Sequence, residues 1–179
     1  MSILKALGIG GAAKSRSSES RGQTETVRRI VRELHELEPA KARYLAAFAY
    51  ILGRVAHADL DITEDETRAM EEIVQKLGHL PDDLSVLVVE IAKAQNQLFG
   101  GTENFVVTRE FAGLATREQR RELLDCLFAV SAADESITAD EERQMRSIAS
   151  ELGFSHQEYV EARRAYSQYR EVLKPFRRQ

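Results

Sequence analysis

The residues of this sequence best suited to chemistry are carboxylates, and they stand in two matching groups. Asp59, Asp61, Glu64, Asp65 and Glu66 follow His57 with no Lys or Arg among them, and Asp134, Glu135, Asp140, Glu141 and Glu142 repeat the arrangement. Clustered hard oxygen donors with no Cys nearby suit Mg²⁺, Ca²⁺ or Mn²⁺. The candidate metal ligands are therefore Asp59, Glu66, Asp134 and Glu141, with His57 as an auxiliary donor. An EF-hand is excluded. A loop starting at Asp59 puts Glu64 where the turn needs Gly and Met70 where a bidentate Glu is required, and one starting at Asp134 puts Ala139 and Met145 there.

Two explanations compete for these carboxylates. Thr63-x-x-Glu66 and Thr138-x-x-Glu141 are capping-box patterns, in which Thr and Glu satisfy backbone N–H groups at a helix start. Asp65 and Asp140 favour the positive end of the same helix dipole. Asp59 and Asp134 fall instead where a helix is ending. A carboxylate beside unpaired carbonyls there is unfavourable by roughly 0.3 to 1 kcal/mol unless something compensates it. The compensator is either a backbone N–H in an Asx-type turn or a cation bridging Asp59 to Glu66, Asp134 to Glu141, or all four.

The elements that must position these groups read as helices. Val27, Ile30, Val31, Leu34 and Leu37 share one face, and Pro39 ends the run. Leu45, Phe48, Ala49, Leu52, Val55 and Ala56 mark a strongly buried helix before the first acidic group. Met70, Ile73, Val74 and Leu77 follow it, with Gly78 as a C-terminal stop. Leu84, Leu87, Val88 and Ile91 make another helix that Gly100 and Gly101 break, and a short one spans 105–114. Thr116 is a good N-cap for the helix of Leu123, Leu124, Leu127, Phe128 and Val130. After the second acidic group come Met145, Ile148, Ala149 and Leu152, stopped by Gly153, and then a last helix over about 155–172 with Tyr159, Tyr166 and Tyr169 inward. Nothing reads as a strand, so the expected fold is an all-α, single-domain bundle of about seven to eight helices.

The two acidic segments lie in one gapless register with an offset of 75 residues. The register also pairs Leu52 with Leu127, Met70 with Met145, Ile73 with Ile148, Leu77 with Leu152 and Gly78 with Gly153. A match of core, turn and stop together indicates an internal duplication of a helix–turn–helix unit. Two such hairpins can pack about a pseudo-twofold axis, which would bring both acidic turns to one end of the bundle.

The remaining features exclude more than they suggest. Cys126 is the single cysteine and sits in a core stripe, which points to an inert thiol and a reducing compartment, the cytoplasm by default. No apolar run is long enough to cross a bilayer. Residues 1–24 read as a flexible arm, 25–172 as the helical domain and 173–179 as a basic tail. The arm, with Lys5 and Lys14, offers at most peripheral membrane contact. A net charge of −4 argues against nucleic acid as a main partner. His35, His57, His79 and His156 show no ligand spacing among themselves, and no phosphate loop, nucleotide fingerprint or zinc motif is present, so nothing supports an enzyme.

At the acidic turns the sequence resembles the TerB-like family, named after tellurite-resistance proteins. Ala58-Asp59 to Ile62 to Glu66 and Ala133-Asp134 to Ile137 to Glu141 fit that family's Ala-Asp-Gly-x-Ile-x-x-x-Glu-like turn, and the segment 105–109 resembles the lead-in to the second copy in a bacterial subgroup. The likeness spans roughly 26–165. It implies a compact helical bundle with a metal site at paired acidic turns, in a stress- or envelope-associated setting with an unidentified protein partner. Leu60 and Glu135 stand where the family pattern has Gly. Tellurite resistance itself is not carried over, because membership alone does not establish function. Two readings result: a metal-responsive interaction module, and a metal-independent adaptor whose acidic residues only cap helices and offer a docking face.

Overall fold

The computed structural model describes residues 21–56, 63–94, 104–133 and 135–170, with side chains described from residue 25 onward. The arm expected at 1–24 therefore lies almost wholly outside the described residues, as do Gly100, Gly101 and the tail at 173–179. Eight α-helices occur among the described residues: α1 Arg21–Glu36, α2 Pro39–Ala56, α3 Glu64–Leu77, α4 Asp82–Lys93, α5 Asn104–Leu114, α6 Arg117–Ser131, α7 Ala139–Glu151 and α8 His156–Arg164. A 3₁₀ turn, Ser167–Tyr169, follows. The chain is an all-helical bundle.

Helix α2 is the axis of the fold. Leu45 to Gly53 are buried without a break, because Ala42, Ala46, Ala47 and Ala49 let neighbouring helices approach on every side. It packs against α1, α4, α5, α6 and α7. Pro39, expected to end the preceding helix, opens α2: its missing N–H costs nothing at a first helical position. The Glu38 carboxylate accepts from the N–H groups of Ala40 and Lys41 there, at 3.0 and 3.1 Å.

The two hairpins interlock. The buried helices α2 and α6 pack on each other, α3 lies against α6, and α7 lies against α2. Tyr44, Phe48 and Phe111 form one aromatic cluster. Phe128 joins Tyr159 and Tyr166 in a second, where the Phe128 and Tyr166 rings stack 5.4 Å apart.

The extent of the last helix needs correction. The last helix stops at Arg164 instead of continuing to about 172, and the chain turns through 3₁₀ geometry so that Ile137 N–H donates to the Tyr169 carbonyl at 2.8 Å. This contact is part of an isolated parallel bridge between Ile137 and Arg170. Tyr159 is buried, whereas Tyr166 and Tyr169 are half-buried. The two stop glycines also differ in role. Gly153 has φ +85° and closes a Schellman motif, with Phe154 N–H donating to Ala149 O and Gly153 N–H to Ser150 O. Gly78 keeps a right-handed conformation, and the left-handed residue after α3 is His79, with φ 51°. Gly78 serves close approach: a Cβ there would lie 2.6 Å from the Val74 carbonyl oxygen and 3.3 Å from the Phe48 ring.

Candidate cation site at the acidic turns

Glu66 and Glu141 sit at the third position of α3 and α7, and both close the boxes their spacing suggests. Glu66 Oε2 accepts from Thr63 N–H at 2.6 Å and from the Thr63 hydroxyl at 2.8 Å, while Glu66 N–H donates to Thr63 Oγ1 at 3.2 Å. Glu141 reproduces this at 2.8, 2.8 and 3.2 Å with Thr138. The backbone hydrogen bond from Thr63, followed by the one from its side chain, holds the Glu66 carboxyl below the usual carboxylate range. In both residues these bonds go to Oε2.

The same cap occurs where there is no acidic turn. Thr116 with Gln119 opens α6, and Ser155 with Glu158 opens α8, by the same reciprocal bonds. Capping is thus how this fold starts helices, and it accounts for the position of Glu66 and Glu141 without a ligand. Asp59, His57 and Asp134 lie outside the described residues, so the structure describes only the glutamate of each expected pair. Among the described residues no cluster of three or more His, Cys, Asp or Glu side chains has the geometry of a metal site. A carboxylate oxygen is the donor type that hard cations take.

Glu135, next to Asp134, adopts φ 62°. This is the left-handed region that glycine enters freely, at the position where the family pattern has glycine. The turn is therefore as sharp as a glycine would make it, and the Glu135 backbone bears the strain.

The best-anchored carboxylate of the second turn is one that spacing alone did not single out. Glu142 is 5% exposed and receives Arg163 at 2.6 Å and Arg170 at 2.7 and 3.0 Å, while Tyr159 OH donates to its carbonyl. Burial raises its pKa, and the hydrogen bonds from Arg170 and Arg163 outweigh that and hold it below the usual range. A signal was available: Glu142, Met145 and Ala149 share the inward helical stripe, and Glu142 faces Thr67 in the repeat register. A second buried pair joins three elements. Arg54 of α2 donates to Glu151 of α7 at 2.8 Å and to Thr108 of α5 at 2.7 Å, and its buried Nε has no partner among the described residues.

The other nucleophile and ligand candidates are inert or exposed. Cys126 is fully buried, and burial, then the charges of Asp125 and Glu122, push its thiol far up. His35, His79 and His156 are exposed, with His79 Nδ1 3.0 Å from Glu122. No helix among the described residues is long and apolar enough to cross a membrane.

A family model described as tellurite resistance protein TerB matches residues 44–164, from α2 to the end of α8. No curated protein and no solved structure gives a significant match to the chain.

Proposed function

The chain belongs to the TerB family, and from that membership we propose that it is a non-enzymatic helical module whose two acidic turns bind a divalent cation, Mg²⁺, Ca²⁺ or Mn²⁺, and which presents a surface to another protein. The observation that carries this reading is the matched placement of Glu66 and Glu141, each fixed by its box through Oε2 and each preceded by an aspartate seven residues earlier in the sequence. A preset carboxylate needs little reordering to become a ligand. The absence of an enzymatic role is supported by the chemistry of the buried groups: arginines hold Glu142 and Glu151 low, and Cys126 is pushed up, so none is poised for acid–base or nucleophilic work near neutral pH.

A second reading rests on its own observation. Because Thr116–Gln119 and Ser155–Glu158 make the same caps away from any acidic turn, the glutamates are explained without metal, and the protein is then a metal-independent adaptor. Thermal melting of EDTA-treated protein with added Mg²⁺, Ca²⁺ or Mn²⁺ separates the two. Ligand at about a hundred times its dissociation constant adds roughly 2.7 kcal/mol, or a rise of several degrees at this size. The Asp59→Asn, Asp134→Asn double variant is expected to lack the rise. A flat response of the unaltered protein to all three metals sinks the cation reading and leaves the adaptor.

A further inference from the structure

Helices α7 and α8 enclose an open cleft of about 470 Å³ on the face that carries Arg143, Arg146, Ser147, Ser150, Phe154 and His156, with no acidic residue in its lining. In a chain with 29 acidic residues and a net charge of −4 this composition is unusual. It arises because the nearby carboxylates are directed elsewhere. Glu142 is taken by Arg163 and Arg170, Glu151 by Arg54, and Glu158 by Ser155 and Arg117. Among the described residues Arg143 pairs only with Asp140, both largely exposed, and such a pair exchanges partners at little cost. Arg146 makes no ion pair among the described residues, and its guanidinium stands 5.9 Å from the centre of the Tyr159 ring.

We infer that this cleft is a docking site for an acidic peptide segment of a partner protein. Two guanidinium groups present planar forks that match carboxylates, His156 and the Ser150 hydroxyl add shorter-range donors, and Phe154 supplies apolar surface, while the Ser147 hydroxyl already donates to Glu151 at 3.0 Å. The shape favours a segment of a larger molecule over a free metabolite. A small ligand needs most of its surface enclosed to bind well, whereas an open cleft covers one side only and leaves the rest of the affinity to the partner's own surface. The overall negative charge of the chain disfavours nucleic acid as the source of the anion. This inference stands apart from the cation reading, and its measurement is made in EDTA so that the two fail separately.

The test is fluorescence anisotropy of labelled octaglutamate titrated with the full chain at low salt, with inorganic phosphate and a single-stranded DNA oligonucleotide as competitors. Arg143→Glu with Arg146→Glu is expected to weaken binding at least about tenfold, with melting within a few degrees of the unaltered protein. Arg29→Glu with Arg32→Glu, the same charge change on α1, is expected to change it less than about twofold. Equal weakening by both pairs overturns the inference, because binding would then follow net charge alone. Absence of binding overturns it too, as does preferential binding of the oligonucleotide or displacement of the peptide by millimolar phosphate.

Discussion

At residue 135 a glutamate occupies a backbone conformation that costs an L-residue roughly 1 to 2 kcal/mol. Its N–H donates to Ala132 O and its side chain is exposed, so removing the Cβ gives up only the unfolded-state entropy that glycine adds, which is smaller than the strain relieved. Glu135→Gly is expected to stabilise the protein by about 1 kcal/mol, read as a melting rise of roughly 2 to 4 °C. Gly153→Ala, at φ +85°, is expected to move melting down by a similar amount. Equal shifts of the same sign would contradict this account of the turn. The sequence showed where the family glycine was missing. It could not show that the turn kept its shape regardless, since that depends on the fold around Ile137 and not on local preference.

Among the elements, what was legible was what hydrophobic period and stop residues control. The stripes of α2, α3, α6 and α7 and the caps at Thr63, Thr116 and Thr138 stand where the spacing put them. The 3₁₀ turn after α8 was not legible, because residues 165–170 are set by Glu142 and Ile137 across the fold, against a helical pattern of their own tyrosines. The Arg54–Glu151 pair likewise depends on which helices meet. With side chains 7% and 12% exposed it is a buried ion pair, and breaking it strands a charge. Arg54→Met and Glu151→Leu are each expected to cost about 3 to 4 kcal/mol in chemical denaturation, and the double variant less than either. Additive costs would show that the two charges do not interact.

At the scale of the whole molecule, acid sensitivity follows from carboxylates tied to arginine. Glu142 and Glu151 are held below their ordinary value of 4.5, and hydrogen bonds from Ser155 and Arg117 bring Glu158 to about 2. Lowered folded-state values mean that these groups contribute fully above the unfolded value near 4.5 and lose that contribution as pH falls through the folded ones. Melting temperature is therefore expected to decline from about pH 4.5 toward pH 2, with a shallower decline in Glu142→Gln. An unchanged acid limb in that variant would remove Glu142 from the explanation. The same glutamate has a mechanical meaning. Arg170 is held to α7 by Glu142 and to the second acidic turn by the bridge at Ile137, so tension applied at residue 170 loads this junction before it reaches the helical core. The junction acts as a strain relief: it transmits tension from that side to the second turn, whereas the first hairpin is reached only through the bundle.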